Sequence, residues 1–148
     1  MNLQIDHSLL KIMHEHALST YPNECCGFFF GTAENEYRRD ITKVHTVTNS
    51  KEGDQRRRFE ISPLDYMKAE QYALEQGVEL LGIYHSHPNH PAIPSQHDLN
   101  QAVPFFSYII ISVGDKEVHH TTSWKLVDQE FEKETINVKN DSENNKLN

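Results

Sequence analysis

Two histidines, His85 and His87, stand two residues apart at the end of an apolar run, and Ser95 and Asp98 follow after a short loop. Imidazole nitrogens and a carboxylate oxygen are the donors that catalytic zinc commonly takes from protein, three in all, with the fourth tetrahedral position left to water. Side chains alternate faces along a strand, so a strand over Val78 to Tyr84 that carries on into the histidines projects both imidazoles to one side. Pro88, Pro91 and Pro94 restrict the loop, which limits the entropy lost in turning Asp98 back toward the strand end. Each piece also has a plainer reading. Ser95-x-x-Asp98 after a proline is a helix N-cap with an acid in the first turn, and an isolated His-x-His is more often two ordinary strand histidines than a ligand pair. The joint pattern of two same-face histidines, a stiff loop and Ser-x-x-Asp favours the metal.

The elements that must position these groups are legible in outline. Residues His7 to Thr20 place Leu9, Ile12, Met13 and His16 at helical spacing with Asp6 as a cap. Phe28 to Phe30, bracketed by Gly27 and Gly31, is a short aromatic strand, and Ile41 to Thr48 is rich in β-branched residues. Ser62-Pro63-Leu64-Asp65 combines an N-cap, a first-turn proline and an acid three residues after the cap; the helix it starts runs to Gly77. Val78 to Tyr84 reads as a central strand buried on both faces, Ser95 to Ala102 as a short helix, and Tyr108 to Val113, Val118 to Val127 and Phe131 to Val138 as further strands. Helices alternating with strands, then a strand-rich end, imply an α/β fold: a single layered domain with a mixed, partly antiparallel β-sheet flanked by helices. The domain is expected over 1–138, with 139–148 a polar tail too hydrophilic to order itself.

Composition excludes several classes. The chain has 148 residues, 14 Lys+Arg against 22 Asp+Glu, and a formal charge of −8. At about 150 residues a domain buries roughly two-thirds of its unfolded surface, so a metal is not needed for folding and is free to be functional. No apolar run approaches the about 18 to 20 residues that cross a bilayer, and the N-terminal segment has neither the basic nor the apolar part of a secretory signal. Cys25 and Cys26 are adjacent, which disfavours a bridge between them and fits a reducing, cytoplasmic setting. An acidic chain is a poor nucleic-acid ligand. The only notable basic cluster, Arg56-Arg57-Arg58, is either a solvated edge or a contact for an acidic or extended partner segment.

Other histidines and cysteines offer weaker alternatives. His14 and His16 sit about 200° apart on a helix, unlike the i, i+4 pair of His-Glu-x-x-His, and cannot clamp one ion. His90 and His97 lie in or beside the loop, so a different ligand set is conceivable, but places that support the ligands, face the substrate or are merely exposed suit them better. The Pro-Cys-x-x-Cys of zinc deaminases is absent, and two small thiols beside Phe28 read as buried rather than nucleophilic.

His85-Ser86-His87-Pro88, the residues from Pro88 to Pro94, and Ser95-Gln96-His97-Asp98 together resemble the motif of the JAMM (MPN-type) zinc metalloproteases. Pro22-Asn23-Glu24-Cys25-Cys26-Gly27-Phe28 resembles the family's upstream glutamate segment, and Arg58-Phe59-Glu60-Ile61-Ser62-Pro63 the stretch leading into its second helix. The resemblance covers about His7 to Val127 and implies a cytidine-deaminase-like domain in which His85, His87 and Asp98 bind Zn2+, Glu24 handles protons and Ser95 helps hold the oxyanion. For small standalone prokaryotic members it implies hydrolysis of a peptide or isopeptide bond at the C-terminal tail of a ubiquitin-like or sulfur-carrier protein, releasing cysteine or a conjugated partner. The tail is expected to add as a strand along a sheet edge. A non-catalytic MPN-type binding scaffold, or a deconjugase of a ubiquitin-like modifier, is the alternative. Nothing in the residues themselves joins Glu24 to His85, 61 positions later.

Overall fold

The computed structural model describes residues 1–35 and 37–140, so the tail expected over 139–148 lies, after Asn140, outside the described residues. The elements run β1 (Asn2–Asp6), α1 (His7–Thr20), β2 (Cys26–Asn35), β3 (Arg38–Val47), α2 (Pro63–Gln76), β4 (Glu79–Pro88), α3 (Gln96–Gln101), β5 (Ser107–Val113), β6 (Val118–Val127) and β7 (Glu130–Lys139). The expected helices and strands are all present. β1 is an addition, five residues being too few for an alternating pattern to stand out.

The strands order as β1-β3-β2-β4-β5-β6-β7, and β7 returns to β1, closing the sheet into a barrel. Pairing is mixed: β1 runs parallel to β3 and β7, β4 parallel to β5, and the other pairs are antiparallel. Closure leaves little room for the expected strand addition. The longest unpaired flank among the described strands is the outer side of β3 over 41–47, because β1 pairs with it only over 38–40.

The three consecutive phenylalanines of β2 show how alternation divides the core. Phe29 packs toward α1 with Met13, Ala17, Leu3, Ile109 and Ile111. Phe28 and Phe30 pack toward α2 with Ala69, Ala73, Ile83 and Tyr108. On β4 the alternation is interrupted where Phe29 pairs with Gly82 but Phe30 with Leu80, leaving Leu81 as an extra residue. A bulge of this kind shifts the faces by one position. It sends Leu80 and Ile83 to the α2 side and Leu81 and Tyr84 to the α1 side. Gly82 lies where a side chain would run into the Ser107 carbonyl of β5, so glycine is what lets the two strands meet there.

The caps follow the sequence at α2, where the Ser62 hydroxyl accepts from the Asp65 N–H at 3.1 Å and Gly77 takes the left-handed φ of 66°. Asp6 occupies the N-cap of α1 as expected, but its side chain makes no capping hydrogen bond. No helix of the described chain is long and apolar enough to cross a membrane.

Candidate metal centre

β4 delivers His85 and His87 to one side, as the strand period requires, with ring centroids 5.0 Å apart and each no more than 2% exposed. Ser86 between them points the other way and is fully buried. Its hydroxyl accepts from the Cys25 N–H at 2.8 Å, and its own N–H donates to the Cys25 carbonyl at 3.2 Å. This antiparallel clasp joins the start of β2 to the end of β4 and brings Glu24 across the 61-residue gap.

Glu24 is 4% exposed and held from both sides of its backbone. Its N–H donates to the Gln55 carbonyl at 2.7 Å, and its carbonyl accepts from the Asn49 amide at 3.2 Å. Asn49 also donates to the Arg58 carbonyl and accepts from the N–H groups of Lys51 and Glu60. The fixed carboxylate lies with Oε1 3.6 Å from His85 Nδ1. That nitrogen is buried and has no hydrogen-bond partner among the described residues, while Phe59 stacks on the ring at 4.6 Å.

The loop then returns Asp98, as the prolines suggest. Asp98 Oδ1 lies 3.8 Å from His85 Nε2, and Oδ2 lies 3.3 Å from His87 Nε2. His87 Nδ1 faces the Pro91 carbonyl at 2.8 Å. A carbonyl only accepts, so Nδ1 carries the proton and Nε2 is the nitrogen turned to the cluster. Burial opposes charge on His87, yet Asp98, the Pro91 carbonyl and then Glu24 hold its pKa above the ordinary histidine value. Burial likewise opposes ionisation of Asp98, but the hydrogen bond with His87, the field of His85 and the Ser95 N–H hold its carboxyl well below the usual range.

Ser95 and Asp98 satisfy both readings of their tetrapeptide. Asp98 N–H donates to Ser95 Oγ at 3.1 Å and Ser95 N–H donates to Asp98 Oδ2 at 2.8 Å, a reciprocal capping box at the start of α3. The same box aims the Asp98 carboxylate at the histidines. Ser95 lies exposed in a cavity of about 550 Å³ that also takes in Glu24, His87 and Asp98. A second cavity of about 270 Å³, lined by Ile61, Tyr66 and Tyr108, meets the first at Phe59, His97 and Asp98.

The donors suit a metal. Bonds of about 2.0 to 2.1 Å in a tetrahedron separate ligands by about 3.4 Å; His87 Nε2 lies 3.3 Å from Asp98 Oδ2, near that edge, and His85 Nε2 lies 3.8 Å from the other oxygen, Oδ1. One donor atom each of Glu24, His85 and His87 also lie within 4.8 Å of one another. Mixed imidazole and carboxylate donors are those of zinc and neighbouring divalent ions, and His85 Nδ1, buried on the Glu24 side of the ring, makes no hydrogen bond among the described residues.

The remaining candidates fall away from the cluster or to its side. His90 stacks on His87 at 4.2 Å and gives its Nδ1 proton to the Pro88 carbonyl at 2.9 Å, so it supports the His87 ring. His97 lines both cavities. His14 and His16 go to separate partners, Thr121 Oγ1 at 2.8 Å and the Tyr84 hydroxyl at 2.7 Å. Burial pushes the Cys25 thiol up to about 11 and Cys26 up to about 12, which leaves neither a nucleophile at neutral pH. Asn49 and Gln55, which help hold Glu24 in place, carry no signal in the sequence, and Ser86 is visible only inside the resembling His85-Ser86-His87-Pro88 run. Phe59 was visible only as part of a resembling stretch.

A hydrolase whose buried His-His-carboxylate cluster can hold a metal, with a second carboxylate beside it, is the class these features define. The chain belongs to the prokaryotic homologs of the JAB domain, whose sequence profile matches residues 6–127. It is 32% identical to a probable TtuB-protein conjugate cleaving protease of Thermus thermophilus over 73% of this chain and 68% of that protein. It is 31% identical to the CysO-cysteine peptidase of Mycobacterium tuberculosis over 92% of this chain and 90% of the relative. A solution structure of a Desulfitobacterium hafniense protein superposes with a TM-score of 0.81 at 27% identity, covering 93% of each chain. These relatives make it an enzyme of the peptidase and isopeptidase class.

Proposed function

We propose that this protein is a zinc-dependent peptidase acting at the C-terminal tail of a ubiquitin-like or sulfur-carrier protein, where it hydrolyses the peptide or isopeptide bond to a released amino acid or conjugated partner. The observation that carries this reading is the pair of carboxylates flanking His85, Glu24 at its Nδ1 and Asp98 at its Nε2. His85, His87 and Asp98 would hold the ion, because Asp98 faces the one nitrogen of His87 that is free to ligate. Bound there, zinc supplies Lewis acidity: it polarises a carbonyl and lowers the pKa of water from about 15.7 toward about 7.

The chain's own groups do the rest. Glu24 accepts a proton from the attacking water and returns it to the leaving nitrogen, and its backbone clamp keeps it at a fixed distance. Ser95, whose oxygen already accepts from Asp98, retains an O–H to donate to the developing oxyanion. Phe59 and the buried strand ends keep bulk water from one side of His85. The CysO-cysteine and TtuB-conjugate activities named for the relatives support a carrier-protein substrate. A cytoplasmic setting belongs to the same reading, two free buried thiols being at home in a reducing compartment. The scaffold alternative is disfavoured because every motif residue is present and converges.

Mass spectrometry of carrier-protein adducts incubated with zinc-loaded protein tests the proposal. Cleavage just after the carrier tail, abolished by chelation and restored by zinc, is expected. Intact adducts in every case, with zinc demonstrably bound, would remove the peptidase reading.

A further inference from the structure

Three consecutive arginines line the same cavity as Glu24, His87 and Asp98, in a chain whose acids outnumber its Lys and Arg 22 to 14. Arg56 is occupied, with Nε 3.1 Å from Asp54 Oδ1. Arg57 and Arg58 have no carboxylate in ion-pair contact among the described residues. Arg58 donates one N–H to the Arg57 carbonyl at 2.9 Å, and Arg57 reaches Asp54 only as a longer-range field. Two guanidinium groups without carboxylate partners, in a protein so rich in carboxylates, stand at the mouth of the reaction cavity.

Their position relative to the chemistry is fixed by backbone. The Glu24 N–H is bonded to the Gln55 carbonyl, and Asn49 bridges the carbonyls of Glu24 and Arg58. The segment 55–58 therefore runs alongside Glu24. A group that hands a proton to the leaving nitrogen has that nitrogen within hydrogen-bond reach, so the arginines border the leaving-group side. The neighbouring cavity, past Phe59, holds no arginine. When a single amino acid leaves, one carbon separates its nitrogen from a free carboxylate. When a lysine side chain leaves, methylenes follow the nitrogen and no charge lies nearby. A guanidinium matches a carboxylate in two parallel hydrogen bonds, a match that neither an amide nor a methylene chain offers.

Resting on the peptidase reading above, we propose that Arg57 and Arg58 form a carboxylate subsite for the α-carboxylate of the released residue. The enzyme is then selective for adducts in which one amino acid with a free carboxyl end follows the scissile bond, over amidated or side-chain-linked leaving groups.

The binding test uses zinc-loaded Glu24→Gln protein titrated by NMR with N-acetyl-glycyl-alanine and with its carboxamide. The acid is expected to bind about tenfold more tightly, the scale of a charge-assisted hydrogen-bond pair in a partly solvated site. Adding Arg57→Gln and Arg58→Gln reduces the preference to less than twofold, and Arg57→Lys with Arg58→Lys, which keeps the charge but not the fork, leaves it in between. Equal affinity for acid and carboxamide overturns the subsite. The kinetic test compares carrier adducts ending in one residue as acid or amide: the preference for the acid is expected in KM, and it shrinks to less than twofold in the arginine variants. An equal loss on both substrates would assign the arginines to the carrier protein's surface and defeat the proposal. Acid-selective binding without turnover of any adduct would instead leave the subsite standing and remove the peptidase reading.

Discussion

His14 and His16 on α1 and His85 and His87 on β4 are the same residue pair at the same spacing, put to opposite uses. On a helix two positions are about 200° apart. His14 reaches Thr121 on β6 and His16 reaches Tyr84 on β4, each with a polar partner of its own. On a strand two positions are one face, and the rings of His85 and His87 meet at 5.0 Å with carboxylates around them. The α1 pair is spent on holding the helix to the barrel. The β4 pair leaves one nitrogen, His85 Nδ1, without any hydrogen bond among the described residues. The element's period, more than residue type, separates a structural histidine pair from a ligand pair.

The largest effects test that separation directly. His85→Ala or His87→Ala is expected to lower bound zinc from about one ion per chain to near none, and turnover by on the order of 10³-fold or more, since the metal's contribution is lost with it. His14→Ala and His16→Ala should keep zinc and stay within a few-fold of wild-type activity, losing about 1 kcal/mol of stability each for the missing hydrogen bond. Elemental analysis beside a turnover assay reads both, and a metal-free His16→Ala would break the comparison. Glu24→Gln comes next: zinc is retained while turnover falls about 10²- to 10⁴-fold, the range of general acid–base catalysis.

Ser95→Ala separates two duties on one side chain. Loss of the cap costs about 1 kcal/mol in denaturant unfolding, whereas loss of an oxyanion donor costs about 10²- to 10³-fold in kcat. A variant that loses stability alone would confine Ser95 to the capping box.

The pH dependence of the metal-free protein sharpens the contrast further. Burial lowers the pKa of His14 and His16 from 6.5, with the charge of His7 adding to the effect at His14. The unfolded chain then binds more protons below pH 6.5, so their contribution is full above 6.5 and is lost as pH falls through the folded values. His87 is the reverse: its pKa is raised above 6.5, so its contribution is full below 6.5 and is lost as pH rises through the folded value. NMR titration of the imidazole protons should place His87 above 6.5 and the α1 pair below it; a common midpoint would erase the distinction. The smallest effect is Tyr84→Phe, which removes the His16 partner for about 1 kcal/mol and should leave zinc content unchanged.

Much of the fold was readable because it rests on local rules. Ser62, Pro63 and Gly77 bound α2 as their chemistry requires, and the Phe28–Phe30 run alternates between two cores. The barrel closure was not readable, since it depends on β1 and β7 meeting from opposite ends of the chain. Neither was the bulge at Leu81, which arises from fitting β4 against β2 and sets which way each β4 side chain faces. Within the site, His85, His87, Ser95 and Asp98 lie close enough in sequence for periodicity and turn chemistry to relate them. Glu24 and its clasp Ser86 came from resemblance alone, and the holders Asn49 and Gln55 from nothing in the sequence.

By itself, then, the amino-acid order determined a strand that ends in two same-side imidazoles, a stiff loop, and a helix start whose serine cap is followed three residues on by an acid. Those are short-range consequences of backbone geometry. The tertiary structure decided that a buried serine between the histidines would clasp Cys25, that Glu24 would be locked beside His85, and that arginines 57 and 58 would open onto the same cavity. Contacts across 25 to 61 residues are made only once the sheet has formed, because the chain between them has no local preference that fixes its ends together.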